Sequence, residues 1–131
     1  MSGKRSILII DDDVDFCEMA KLMLEKTGLY DVSVCNNSSE AMDWVRGRKP
    51  ELILLDVVMP NVDGGEIAAQ LKGNKEFSSI PVIFMTSLMT ASEAAKNPSI
   101  GKHRFISKPI SGEALAEQMR KFFRSHENRP S

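Results

Sequence analysis

Hydrophobic positions along the chain follow two alternating patterns. Short, mainly apolar runs occupy residues 6–10, 52–55 and 80–85, and longer stretches between them carry apolar residues three or four positions apart. The first such stretch places its apolar residues at i, i+3, i+4, i+7 and i+8, which is one face of a helix: Phe16, Met19, Ala20, Met23 and Leu24. Thr27-Gly28 should end this helix. The pattern predicts a strand followed by a helix.

The same pair of patterns recurs along the rest of the chain. Residues 30–35 alternate as a second strand, and the four residues Asn36-Asn37-Ser38-Ser39 offer N-caps to a second helix that ends at Gly47 and Pro50. A third helix follows Gly64-Gly65, a fifth strand is predicted at 104–107, and a last helix carries Leu115, Met119, Phe122 and Phe123. Continuous apolar strands are typical of sheets covered on both faces. The order therefore predicts an α/β fold with a doubly wound, five-stranded parallel sheet.

The segment 90–102 departs from this regular order. Asn97-Pro98 should interrupt any helix there, because proline disfavours a helical residue before it and cannot donate a backbone hydrogen bond. We therefore expect the fourth helix to be short or irregular. Residues 126–131 are polar and are expected to be a C-terminal tail after a single domain at 1–125.

Composition excludes several classes of function. The formal net charge of −1 offers no basic excess for neutralising phosphates, so we expect no direct nucleic acid binding by this domain. No apolar run approaches the roughly 20 residues that span a bilayer, and the first residues show no secretory signal, which favours a cytoplasmic location. Cys17 and Cys35 lack the spacing of a metal site and are expected to be core thiols.

Polar residues stand where four of the five predicted strands end. Asp11 and Asp12 follow the first strand, Asp56 the third, Thr86 the fourth and Lys108 the fifth. Because ligands of open α/β sheets bind beyond the carboxyl ends of the strands, these side chains should meet at one rim.

The residue types at this rim indicate a particular chemistry. Carboxylates from adjacent strands repel each other unless a cation lies between them, and oxygen ligands with room for water suit Mg²⁺. An aspartate carboxylate is a known nucleophile towards phosphoryl groups, and a lysine with a threonine hydroxyl can hold the resulting anion. The sequence therefore predicts a Mg²⁺-dependent phosphoryl site.

These residues also carry a family resemblance. The pair Asp11-Asp12, the segment LLDVVMPNVDG around Asp56, then Thr86-Ser87 and Lys108-Pro109 resemble the CheY-like receiver domain of two-component response regulators. The resemblance extends from about residue 6 to residue 124. It implies a flavodoxin-like fold with strand order 2-1-3-4-5, an order that is described for this type of fold.

The resemblance implies a role for each acidic residue of the site. Asp56 would be the phosphoacceptor. Asp12 would be the main acidic Mg²⁺ ligand, with Asp11 assisting, and Asp56 and the backbone carbonyl of Val58 would complete the protein ligands.

It also implies roles for three residues on the last two strands. Thr86 would hydrogen-bond a phosphoryl oxygen and move with the switch, and Lys108 would pair with the phosphoryl group. The Lys108-Pro109 bond would be cis. Phe105 matches the aromatic position whose rotation accompanies activation.

The function implied by the resemblance is a phosphorylation-activated signalling switch. The donor would be a sensor histidine kinase or a histidine phosphotransfer protein, and the output would be binding to an unidentified downstream protein. A dimer through the segment 90–102, the fifth strand and the last helix is compatible with this resemblance. The protein would not be an enzyme beyond catalysing its own phosphorylation and its own dephosphorylation. The dephosphorylation would be slow, because Val58 and Leu88, at the positions that flank the path of the attacking water in this family, are apolar and exclude water.

Two alternatives stay open at the level of the sequence. An aspartyl-phosphate hydrolase acting on small phosphate esters would want an acid two residues after the nucleophile, where Val58 stands. A receiver-fold binding module that works without phosphorylation would not need the acidic pair, Thr86 or Lys108.

Overall fold

The computed structural model describes residues 3–57, 64–87, 104–108 and 110–127, with the backbone alone at 86, 87, 104, 126 and 127. In this part of the chain the strands are β1 (Arg5–Ile10), β2 (Tyr30–Cys35), β3 (Leu52–Asp56), β4 (Val82–Ser87) and β5 (Arg104–Lys108). The helices are α1 (Val14–Lys26), α2 (Ala41–Arg48), α3 (Gly64–Lys72) and α4 (Gly112–Glu127), and a short 3-10 helix (Ser38–Glu40) precedes α2. The predicted irregular helix at 90–102 lies outside the described residues.

The five strands form one parallel sheet in the order β2-β1-β3-β4-β5. This confirms the predicted α/β fold and the strand order that the family resemblance implied. None of the described helices is long and apolar enough to cross a membrane.

The two faces of the sheet are covered by separate apolar clusters. Ile7 and Ile9 of β1 face α1 and α4, whereas Leu8 and Ile10 face α2 and α3. Alternate residues of β3 divide between the faces in the same way. The side chains of residues 7–10 in β1 and 52–55 in β3 are therefore buried, which is why these segments are continuously apolar.

Both ends of helix α1 are fixed by flanking residues, and its end before Thr27-Gly28 agrees with the sequence prediction. The Asp13 carboxylate caps its first turn by accepting from the backbone N–H of Phe16 at 3.0 Å. At the other end the chain turns through Thr27 and Gly28, and Gly28 has a φ of +78°, which glycine adopts without strain.

Several element boundaries differ from the sequence prediction by one or more residues. Gly47 lies inside α2, which ends at Arg48 and is followed by Lys49 with a left-handed φ of 48°. Strand β4 begins at Val82 rather than Ile80, because the N–H of Ile80 is used in a turn to Phe77. Helix α4 continues to Glu127, so its last turn includes two residues of the expected tail.

Both cysteines are confirmed as core thiols. Cys17 and Cys35 are each 1% exposed and unpaired with each other. Burial raises the pKa of Cys17 to about 12, with a further contribution from the nearby Asp11 carboxylate. Burial also raises the pKa of Cys35, so both thiols are protonated at neutral pH.

Candidate functional site

Strand register brings the predicted acidic residues to one edge of the sheet. Ile10 is paired with Leu55, so Asp11 and Asp56 follow side by side on β1 and β3. One carboxylate oxygen from each of Asp11, Asp12 and Asp56 lies within 4.8 Å of the other two. We call these three residues the acidic pocket. Three oxygen ligands at this spacing could hold a divalent metal ion.

Asp11 is the most deeply placed member of the acidic pocket. Its side chain has no exposed surface, and a buried carboxylate is costly unless it is paired. One carboxylate oxygen accepts the backbone N–H of Asp13 at 2.9 Å, and the other accepts a hydrogen bond from the Lys108 ammonium. The charge of Asp11 is therefore satisfied from β5 on one side and from the loop before α1 on the other.

The backbone of Asp11 is fixed as firmly as its side chain. Its N–H donates to the Cys35 carbonyl at 3.0 Å, which extends the β1–β2 pairing by one residue. Its carbonyl accepts the Asn36 side-chain amide at 2.9 Å and the Cys17 thiol at 3.5 Å. Residues at the end of β2 and in α1 thus hold the backbone of Asp11 in place.

Lys108 lies between two members of the acidic pocket. Its ammonium is paired with Asp11 and is 3.8 Å from the Asp56 carboxylate, and the side chain is 20% exposed. Burial alone would lower the pKa of Lys108, but the hydrogen bond and charge of Asp11, with the charges of Asp56 and Asp13, raise it above its ordinary value. The ammonium also lies 4.5 Å from the ring centroid of Phe16. Lys108 is therefore a cation held by carboxylates and by an aromatic face.

Asp56 ends β3 with 9% of its surface exposed. The chain returns tightly against it at the start of α3, where the Gly64 N–H donates to the Val57 carbonyl at 2.9 Å. A Cβ at position 64 would lie 2.4 Å from the Asp56 carbonyl oxygen, which is too close for any other residue type. The glycine allows α3 to begin directly against the backbone of Asp56 and Val57. Asp12, in contrast, is exposed at the rim.

Some of the remaining predicted site residues lie within the described part of the structure and some lie outside it. Thr86 is near the end of β4, where its neighbour Ser87 pairs with Lys108, but its side chain is outside the described part of the structure. Val58 and the Lys108-Pro109 bond also fall outside the described residues. Phe105 is half-buried, with its ring centroid 5.7 Å from that of Phe84 on β4.

The structure adds two residues that sequence reasoning did not assign to the site. The sequence offers Asn36 as one of four candidate helix caps. In the structure Asn37, another of the four, caps the 3-10 helix, and Asn36 supports the backbone of Asp11. Phe16 was expected only as a core residue of α1, and its ring also contacts Lys108. The amphipathic pattern identifies the buried face of α1, but it cannot show that the first turn of this face reaches the rim.

Sequence comparison places these residues within a known family. A family model described as the response regulator receiver domain matches residues 7–120. Response regulator Rre1 of Synechocystis is 30% identical over 115 residues, covering 88% of this chain and 50% of that protein. The phosphate regulon transcriptional regulatory protein PhoB of Pseudomonas aeruginosa is 33% identical, covering 95% of this chain and 53% of that protein. The chain thus spans about half the length of the curated relatives it matches.

Comparison with solved structures supports the same fold. The receiver domain of a signal transduction histidine kinase from Syntrophus aciditrophicus has a TM-score of 0.80 at 31% identity, covering 97% of this chain and 96% of that one. The chemotaxis protein CheY4 of Vibrio cholerae has a TM-score of 0.79 at 20% identity, covering 90% of this chain and 98% of that one. This similarity concerns the fold alone.

Proposed function

This chain belongs to the response regulator receiver domain family, and we propose that it is activated when Asp56 accepts a phosphoryl group. Receiver domains of this family work with histidine kinases or histidine phosphotransfer proteins. The observation that carries the proposal is the acidic pocket with Lys108 against it, because these groups combine a nucleophile, a cation site and an anion-binding ammonium. We assign the receiver domain to residues 1–125.

The proposed step transfers the phosphoryl group from a phosphohistidine of the partner protein. An oxygen of the Asp56 carboxylate attacks phosphorus, the new O–P bond forms and the N–P bond breaks. The departing imidazole takes up a proton and leaves as the neutral side chain. The 9% exposure of Asp56 supports this role, because the donor must reach a carboxylate that is otherwise enclosed by the fold.

We propose that the acidic pocket holds Mg²⁺ through Asp11, Asp12 and Asp56, with the carbonyl of Val58 as a further ligand. The donor set fits, since hard carboxylate oxygens within 4.8 Å of one another suit this ion. Bound Mg²⁺ would supply positive charge near the transferring phosphoryl oxygens. Lys108 would add its own charge at the Asp56 side, where its ammonium is 3.8 Å from the carboxylate.

The conformational response of the domain would follow from the charge that phosphorylation adds at Asp56. A phosphoryl group carries a charge of about −1.5 to −2, so it should draw the Lys108 ammonium and the Thr86 hydroxyl towards it. Because Lys108 ends β5, this movement would bias the packing of Phe105 and the nearby surface. The receiving protein is unidentified. One relative is named a DNA-binding response regulator, and that activity is a property of the relative.

The decisive experiment is labelling by acetyl phosphate or by a histidine kinase in the presence of Mg²⁺. Asp56→Asn should abolish labelling with the circular dichroism spectrum retained. A matched control is Asp43→Asn on α2, because Asp43 is 80% exposed at its side chain and belongs to a surface ion pair with Arg46. Labelling that persists in Asp56→Asn, or is lost equally in the control, would contradict the assignment. Turnover of p-nitrophenyl phosphate by the wild-type protein would favour the hydrolase alternative.

A further inference from the structure

We propose that Phe16 is a positioning residue that acts on phosphoryl transfer through Lys108. The inference rests on the proposed function of Asp56. Phe16 contacts no reacting atom in this proposal. Its aromatic face fixes the ammonium of Lys108 beside the acidic pocket, so that a cation is already in place where negative charge develops.

A closed chain of contacts carries the proposal. The Asp11 carboxylate accepts the N–H of Asp13 at 2.9 Å, and the Asp13 carboxylate accepts the N–H of Phe16 at 3.0 Å. The Phe16 ring centroid lies 4.5 Å from the ammonium of Lys108, which returns a hydrogen bond to Asp11. The first turn of α1 and the last residue of β5 therefore hold each other across the site.

The ring is suited to this task because it is itself fixed. Phe16 is half-buried and packs against the cluster between the sheet, α1 and α4. The lysine side chain is flexible and is attracted by both Asp11 and Asp56, so carboxylates alone do not determine where the ammonium rests. An aromatic face attracts a cation from one defined direction, whereas a leucine of similar burial fills the core without this attraction.

The experiment compares Phe16→Leu with Phe16→Tyr, in both the wild-type and the Lys108→Met background. With acetyl phosphate and saturating Mg²⁺, Phe16→Leu should slow Asp56 labelling by about two- to tenfold, which is the range expected for a cation–π contact at a partly buried site. Phe16→Tyr should restore the rate to within about twofold of the wild type, because it keeps the aromatic face. In the Lys108→Met background the leucine change should have no further effect. Denaturation by urea establishes that each variant is folded.

A second readout needs no phosphoryl donor. In the wild type and Phe16→Tyr, nuclear magnetic resonance should show the terminal methylene protons of Lys108 shifted upfield by the ring current. In Phe16→Leu this shift should disappear. Loss of the shift together with the slower rate supports the proposal.

Three results would overturn it. They are a wild-type rate in folded Phe16→Leu, an equal slowing in the Lys108→Met background, and an unshifted Lys108 in the wild type. If the wild-type protein is not labelled at all, the proposed function fails. The ring-current shift of Lys108 is measured without a phosphoryl donor, so its presence or absence still decides whether Phe16 positions Lys108.

Discussion

Replacing Lys108 by methionine should destabilise the protein when no divalent cation is present. Methionine keeps most of the side-chain volume and removes the charge. Asp11 has no exposed surface, and the ammonium of Lys108 is its cationic partner within the described part of the site. Without that ammonium, the Asp11 carboxylate is left close to Asp56 and Asp12 with its charge uncompensated.

The size of the effect follows from the spacing of the carboxylates. Two like charges at the 4.8 Å limit of the acidic pocket repel by about 3.5 kcal/mol at an effective dielectric constant of about 20. Removing one partner of a buried ion pair costs about 3–5 kcal/mol in other proteins. Because Lys108 is 20% exposed and Asp12 lies at the rim, water reduces the effect. We expect a loss of about 2–3 kcal/mol in the free energy of unfolding at neutral pH.

The assay is urea denaturation followed by circular dichroism, in EDTA and again with saturating Mg²⁺. A ligand that binds the folded state alone stabilises it by about 2.7 kcal/mol at a concentration one hundred times its dissociation constant. Mg²⁺ should stabilise Lys108→Met more than the wild type, because no ammonium competes for Asp11. Lys121→Met on the exposed face of α4 is the matched control and should stay within about 0.5 kcal/mol of the wild type.

Two outcomes would refute this reasoning. In the first, Lys108→Met is as stable as the wild type in EDTA, so the ammonium does not compensate the buried carboxylate. In the second, Mg²⁺ stabilises both proteins equally, so Lys108 and the cation do not compete for the same oxygens.

Three further predictions concern stability and lifetime. Gly64→Ala should destabilise the folded protein by about 1–3 kcal/mol in urea denaturation, because the added Cβ collides with the backbone of Asp56 and Val57. Gly47→Ala, with open space around it in α2, should stabilise the protein by roughly 0.5–1 kcal/mol. A change of the same sign in both variants would contradict this prediction. Burial opposes ionisation of Glu25, but hydrogen bonds from a β2 N–H and a lysine one turn earlier lower its pKa. Because its pKa is lowered, ionised Glu25 stabilises the folded state at pH values above the ordinary glutamate pKa of 4.5. The wild type should therefore be more stable than Glu25→Gln by about 0.5 kcal/mol for this partly exposed group, and this difference should vanish as pH falls through the folded-state pKa. A stability difference that grows as pH falls would exclude the mechanism. Finally, the apolar Val58 and Leu88 predict a phosphoryl half-life of minutes or longer by radiolabel decay, and decay within seconds would be inconsistent with it.

The layered fold was readable from the sequence because both faces of the sheet are covered. A strand segment that is buried on both sides should be apolar at every position, as residues 7–10 of β1 and 52–55 of β3 show. Boundaries were less predictable where backbone donors are taken by turns. Ile80 looks like the first residue of β4, but its N–H is already bonded to Phe77, so pairing begins at Val82.

The acidic pocket was predictable for a related reason. A charge placed directly after a buried apolar run has to lie at the edge of a parallel sheet, and adjacent strands bring such edges together. Asp11 and Asp56 therefore could be paired from the sequence alone, and their oxygens do meet within 4.8 Å. The role of each residue in phosphoryl transfer stays a prediction.

The contacts that support the pocket were not predictable in the same way. Asn36 carries a side chain that can cap a helix, hold a turn or bind a distant carbonyl, and only the fold selects the bond to Asp11. Phe16 has the spacing of a core residue, and its second contact depends on how far Lys108 reaches from β5. Such contacts arise from the placement of elements rather than from a pattern within one element.

Charge balance connects the resting site to the proposed switch. The three carboxylates of the acidic pocket and the single ammonium of Lys108 leave two negative charges, which is the charge that one divalent cation neutralises. Phosphorylation of Asp56 would replace a charge of −1 by one of about −1.5 to −2, so a cation-loaded site would again become negative. Lys108 is already 3.8 Å from Asp56, and a short movement from Asp11 would place its ammonium against the new anion. The ion pair that stabilises the resting domain thus supplies the charge that the phosphorylated domain needs, and β5 is the element that must respond.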